Sequence, residues 1–206
     1  MDFTPASDFS QVTYVPETVT DTAKIVVAGG FGVGKTTLIG SVSEVTPLRM
    51  EAPITVDSEG VDDLQGTPEK TATTVGMDFG RLQLGDQLML YLFGLPGQAR
   101  FQPIWEDLVE GALGCLVLAD TRRLDACYSA LELLENHGIP YAVALNAFPD
   151  APTYDEGEVR QALALDEETL LTTCDARDRT SSLYALIGLV KHLLKQPIAA
   201  PMESQR

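Results

Sequence analysis

Long hydrophobic runs are missing from this chain. None approaches the roughly 20 apolar residues a membrane-spanning helix needs. Basic residues are also scarce: 14 Lys and Arg stand against 30 Asp and Glu, for a net charge of −16. A surface so acidic repels nucleic acid and anionic lipid, so neither is expected as a direct partner. Residues 1–11 lack the basic and apolar regions of a secretory signal. Asp2 does not suit N-myristoylation, and the last residues carry no prenylation cysteine. The expectation is a cytoplasmic protein with no lipid anchor, reaching membranes at most peripherally through partners. There are three cysteines, Cys115, Cys127 and Cys174, without metal-ligand spacing. They read as small buried side chains rather than disulfide partners. The two histidines, His137 and His192, have no partner pattern.

What the chain does have is 206 residues with 45% hydrophobic content, enough for one domain with a substantial core. Residues 1–21 are polar and read as a flexible arm, 22–195 as the domain, and 196–206 as a loose tail. Lys24–Ala28 is a short apolar run ending in glycine, a buried strand by its pattern. A helix is expected over 35–44. The stretch 45–73 contains Pro47, Pro53, Gly60, Gly66 and Pro68, and reads as a long functional loop. Strands at 75–84 and 87–93 are expected to pair through a short Gly85-Asp86 link. Gly94-Leu95-Pro96-Gly97 breaks the second of them. Helical spacing at 98–110, 124–136, 154–165 and 181–194 alternates with strands at 112–119, 141–145 and 169–174. This order predicts an α/β fold: a six-stranded, mostly parallel sheet with one antiparallel strand and helices on both faces.

The strongest local signal is Gly29-Gly30-Phe31-Gly32-Val33-Gly34-Lys35-Thr36, set between a strand and a helix. It meets the phosphate-loop pattern G-x-x-x-x-G-K-[ST] in full. The glycines let successive backbone N–H groups turn inward toward phosphate oxygens, and the helix N-terminus adds partial positive charge. Lys35 is the point charge for the outer phosphates. The Thr36 hydroxyl is a ligand for Mg²⁺, and Thr37 follows it at the helix start. A nucleoside triphosphate with Mg²⁺ is the expected ligand.

Further motifs follow in order. Thr74-Val75-Gly76-Met77-Asp78-Phe79 resembles the T-I-G-x-D-F segment of Ras-like small GTPases. Leu95-Pro96-Gly97-Gln98-Ala99-Arg100-Phe101 resembles their T-A-G-Q-E-R-F stretch. Asn146 resembles the asparagine of the N-K-x-D guanine motif, and Asp175-Ala176-Arg177 the S-A-K motif beside the base. The chain as a whole resembles the small GTPases of actinobacterial conservons, relatives of the Mgl-type bacterial Ras-like family. Residues 29–37, Ser43–Arg49, Leu90–Gln98 and Cys174–Arg179 carry that likeness. The resemblance implies a GTP/GDP switch working with a roadblock-type protein and a sensor-kinase-like protein. It makes 45–78 switch I and 94–110 switch II. It also assigns Thr74 to the metal and the γ-phosphate, Gln98 to the attacking water, and Gly97, Asn146, Ala176 and Arg177 to the nucleotide.

The chain departs from the pattern at two places. Gly94 stands where Ras-like proteins keep an aspartate that holds Mg²⁺ through water, with Asp120 and Asp78 as candidate replacements. Ala147 and Pro149 replace the lysine and aspartate of the guanine motif, and Asp150 comes one residue late. Base selectivity between GTP and ATP is therefore open. The leading expectation is a slow GTPase with Lys35 and Gln98 as catalytic residues. A non-hydrolysing nucleotide-binding scaffold and an ATPase are the rivals.

Overall fold

The computed structural model describes residues 15–48, 51–53, 72–74, 78–97 and 104–195. At its centre are six strands in the order β4-β5-β1-β6-β7-β8, where β1 is Asp21–Ala28, β4 Asp78–Leu84, β5 Leu88–Gly94, β6 Gly114–Ala119, β7 Tyr141–Asn146 and β8 Leu170–Cys174. Every neighbouring pair is parallel except β4 with β5, so the predicted sheet is the one found. Strands β2 (Glu51–Pro53) and β3 (Ala72–Thr74) form a separate antiparallel pair inside the expected long loop. The helices are α1 (Lys35–Val42), α2 (Trp105–Val109), α3 (Tyr128–Asn136), α4 (Glu156–Ala162) and α5 (Arg179–Leu193). A 3-10 turn at Leu124–Cys127 leads into α3, splitting the helix expected over 124–136.

The central strands read as unbroken apolar runs because both of their faces are buried. Along β1, Ile25 and Val27 point into one core while Val26 and Ala28 point into the other. Along β6, Leu116 and Leu118 join the first core, and Cys115, Val117 and Ala119 the second. The first core is closed by α1 and α5 through Leu38, Ile39, Val42, Leu186 and Leu189. The second is closed by Trp105, Val109, Leu131, Leu134 and Val159 from α2, α3 and α4. The cysteines are free and buried in these layers, as expected. Among the described residues, no helix is long and apolar enough to cross a membrane.

The β4–β5 connection differs from the expected two-residue link. Leu84 pairs with Leu88, leaving Gly85, Asp86 and Gln87 in the turn, and Gly85 takes φ 65°. The pairing then runs to Asp78 opposite Gly94, which is the last residue of β5 rather than a break after it.

Candidate phosphate-binding site

The phosphate loop joins β1 to α1 at the carboxyl end of the parallel strands, where ligands of open α/β sheets bind. Gly29, Gly32 and Gly34 have φ of 131°, 74° and 107°, in the left-handed region that side chains disfavour. Sterics add a second demand. A Cβ on Gly30 would lie 2.6 Å from the Ala126 methyl, and one on Gly34 would lie 2.7 Å from the Asn146 amide nitrogen. The loop is therefore pressed between the 3-10 turn and the end of β7.

Helix α1 begins without a side-chain cap and without an acidic residue in its first turn. The two helices on the other half of the sheet differ. In α4, Asp155 and Glu158 form a reciprocal capping box, and in α5 the Asp178 carboxylate accepts from the Ser181 N–H. The first amides of α1 are thus left for an external anion. Lys35 is buried, and its Nζ donates to the carbonyls of Gly29 and Gly30 at 2.8 Å each. Those bonds fold the lysine back over the loop, with its charge in the cradle. Thr37 is exposed at the helix start.

Thr36 and Asp78 meet beside the loop. The Thr36 hydroxyl donates to Asp78 Oδ2 at 2.6 Å, and Asp78 is 2% exposed. Because Asp78 pairs with Gly94, its carboxylate occupies the space beside the residue expected to carry it. A Cβ on Gly94 would lie 3.2 Å from both Asp78 Cβ and Oδ2. The neighbouring strand thus places a carboxylate beside the position where β5 carries none. Asp120, the other candidate, is engaged elsewhere. It sits at the end of β6 with Arg122 clamped on both its oxygens at 2.6–3.1 Å. Burial alone would raise the Asp120 pKa, but the Arg122 hydrogen bonds and charge outweigh it and hold the carboxyl below its usual range. A threonine hydroxyl and one carboxylate are hard oxygen donors of the kind that hold Mg²⁺ together with substrate phosphates, so the residues present fit that ion.

Gly97 lies against this centre. A Cβ there would come within 2.7 Å of Lys35 Nζ and 2.8 Å of Phe31 Cα. The segment is held by the Leu95 N–H donating to Val27 O at 2.9 Å and by the Trp105 indole N–H donating to Pro96 O at 3.1 Å. Gln98, one residue further, lies outside the described residues, as do Arg100 and Phe101. Thr74 ends β3 opposite Glu51, and its side chain is likewise outside the description.

On the base side, Asn146 is buried and bridges two loops. Its Nδ2 donates to Val33 O at 2.8 Å, and its Oδ1 accepts from the Ala176 N–H at 3.0 Å. Arg177 is held by Asp175 through two hydrogen bonds of 2.8 and 2.9 Å. Phe148 carries the Arg122 guanidinium 4.0 Å above its ring.

Two contacts have no signature in the sequence. Arg123 donates to Phe31 O at 2.9 Å, bracing the phosphate loop from the 3-10 turn, and Trp105 anchors Pro96. Neither belongs to a spaced motif, and the first joins segments 92 residues apart in the chain.

A model of the family described as conserved hypothetical ATP binding protein matches residues 27–196. The uncharacterized protein MJ1339 of Methanocaldococcus jannaschii is 30% identical over 141 residues, covering 68% of this chain and 78% of that protein. Among solved structures, the FeoB G-domain from Methanococcus jannaschii superposes with a TM-score of 0.56 at 17% identity, over 85% of this chain and 99% of that one. At that identity the likeness shows the fold, that of a phosphate-loop GTPase domain.

Proposed function

The chain belongs to the family of conserved hypothetical ATP binding proteins, and from that membership and its site geometry we propose that it is a Ras-like nucleotide switch. It binds GTP or GDP with Mg²⁺ and hydrolyses GTP slowly. The observation that carries this reading is the assembly of Lys35, Thr36, Asp78 and Gly97 on one phosphate loop. A simple anion-binding turn needs neither a buried carboxylate on the threonine nor a glycine pressed on the lysine.

The chemistry rests on positioning and electrostatics rather than covalent steps. Amides of residues 30–37 and the Lys35 ammonium hold the phosphates. Bound Mg²⁺ supplies neutralisation of charge on the outer phosphates. Thr36 and Thr74 are its protein ligands, and Asp78 orients the Thr36 hydroxyl. Gln98 positions the attacking water, and Gly97 brings the 95–98 segment to the phosphate end. Asn146, Ala176 and Arg177 face the base. Unaided turnover is then on the order of 10⁻⁴ to 10⁻² per second, and a partner-supplied arginine accelerates it by about 10³ to 10⁵. The finer kinship, with conservon-type GTPases, carries with it a roadblock-type partner, a sensor-kinase-like partner and a cytoplasmic location.

The test is single-turnover phosphate release from bound GTP, comparing the protein with Gln98→Ala, alone and with the roadblock-type partner. Release that drops at least tenfold in Gln98→Ala supports the switch. Equal, near-zero release from both proteins in both conditions would leave a non-hydrolysing scaffold.

A further inference from the structure

A loop that receives phosphate has to turn its N–H groups inward and keep its carbonyl oxygens out of the cradle, since an oxygen aimed at an anion repels it. Gly29 O and Gly30 O accept from Lys35 Nζ at 2.8 Å each. Val33 O accepts from the Asn146 amide at 2.8 Å, and Gly34 O from the Leu38 N–H at 2.8 Å. Phe31 O accepts from Arg123 Nη2 at 2.9 Å. Lys35 and Leu38 follow the loop directly and Asn146 matches a motif, whereas Arg123 lies outside every motif read from the sequence.

The peptide that Arg123 holds is one whose direction local sterics leave open. The Phe31–Gly32 bond is trans and planar, so its C=O and N–H point in opposite directions. Gly32 has φ 74°, and a glycine reaches either sign of φ about equally readily, so this peptide could face either way. Arg123 itself is well fixed. Its N–H donates to Asp120 O at 2.8 Å, and its carbonyl accepts from the Ala126 N–H at 3.2 Å. The Ala126 methyl in turn lies against Gly30, 2.6 Å from where a Cβ would be. The 3-10 turn thus presents the guanidinium to the loop from a rigid base.

We propose that Arg123 is a positioning residue of the phosphate site: by drawing the Phe31 carbonyl toward the 3-10 turn, it aims the Gly32 N–H at the outer phosphates. Phe31 lies at the lysine end of the loop, because a Cβ on Gly97 would meet both Lys35 Nζ at 2.7 Å and Phe31 Cα at 2.8 Å. With the peptide reversed, its oxygen would face the phosphates and a donor would become a repulsive acceptor. A cation on the carbonyl also polarises the peptide, which makes its N–H a stronger donor. The inference rests on the nucleotide-switch reading and adds to it a residue that acts through the backbone, without touching the ligand.

The experiment is calorimetric titration of the full chain, Arg123→Met and Arg123→Lys with Mg²⁺-GTP and with pyrophosphate, alongside amide NMR of the isotope-labelled protein. Methionine keeps an apolar stem and removes every donor, whereas lysine keeps the charge and a donor. Arg123→Met should bind Mg²⁺-GTP about 10- to 100-fold more weakly, the effect of one charge-assisted hydrogen bond. Arg123→Lys should recover at least about threefold of that loss. In the unaltered protein the Gly32 amide proton should move downfield as GTP is added, and in Arg123→Met that movement should shrink. A brace that served folding alone would lower the melting temperature of the nucleotide-free variants and leave GTP affinity and the Gly32 response unchanged, which would overturn the inference. Equal losses in the methionine and lysine variants would also overturn it. So would a Gly32 amide that ignores GTP in the unaltered protein, a reading that needs no variant to fold. If the unaltered protein binds neither GTP nor pyrophosphate, the nucleotide reading fails and the inference with it. If it binds both and Arg123→Met binds them equally well, the inference alone fails.

Discussion

Replacing Asp78 by asparagine keeps the side chain's shape and removes its charge, which isolates its part in cation binding. The asparagine Oδ1 still accepts from Thr36, so the 2.6 Å contact survives in weaker, neutral form. Asp78 touches the ligand hydroxyl, and outer partners of this kind typically contribute about 10- to 100-fold in metal affinity, or about 1.4 to 2.8 kcal/mol. The expected result is a loss of that size in nucleotide affinity measured with Mg²⁺. In the presence of a chelator, the affinities of the two proteins should converge. The geometry also offers a relocation. A side chain at Gly94 would be crowded while Asp78 is present, because its Cβ would lie 3.2 Å from Asp78 and 3.1 Å from Ile39 Cδ1. In Asp78→Gly the space opens, and adding Gly94→Asp returns a carboxylate to the same gap from the opposite strand. The double variant should recover part of the Mg²⁺ dependence that Asp78→Gly loses. Calorimetry with and without chelator reads both. If Asp78→Asn binds Mg²⁺-nucleotide as tightly as the unaltered protein, the cross-strand assignment is wrong.

Other consequences are open to direct measurement. The depressed Asp120 carboxyl gives a pH-dependent contribution to stability. A folded pKa below the unfolded value of about 3.9 means that contribution is complete above pH 4 and is lost as pH falls through the folded value. Asp120→Asn should therefore show a shallower fall of melting temperature in acid than the unaltered protein, and parallel curves would refute it. Burial pushes the Cys127 thiol up to about 11 and raises Cys115 and Cys174 as well. Thiol-reactive dye at pH 8 should label none of the three until the protein unfolds; rapid labelling of the native state would contradict their burial.

Much of the framework was open to reading because both cores impose simple periods. Strands β1 and β6 alternate between two buried layers, so they appear as continuous apolar runs, and glycine punctuation marks their ends. The phosphate loop was legible because its residues are contiguous. Asp78 was harder. Its role depends on pairing with Gly94, and a two-residue turn at Gly85-Asp86 would have set it opposite Phe93 instead. One uncounted turn residue, Gln87, separates the two readings. The strand pair at 51–53 and 72–74 was missed for another reason: segments this short carry too few alternations to stand out from a polar loop. Arg123 and Trp105 donate to backbone carbonyls, of Phe31 and Pro96, and no motif spacing encodes such contacts.

The turn at the far end of the β4–β5 hairpin thus acts as a ruler for the proposed cation site. Six residue steps separate Leu84 from Asp78, about 20 Å along the strand. A strand shifted by one residue turns every side chain to the other face. A hairpin closed by pairing Leu84 with Gln87 would carry the Asp78 carboxylate through the sheet, away from Thr36, without changing a single residue of the sequence. The length of a solvent-facing turn is therefore as much a part of the phosphate chemistry as the lysine.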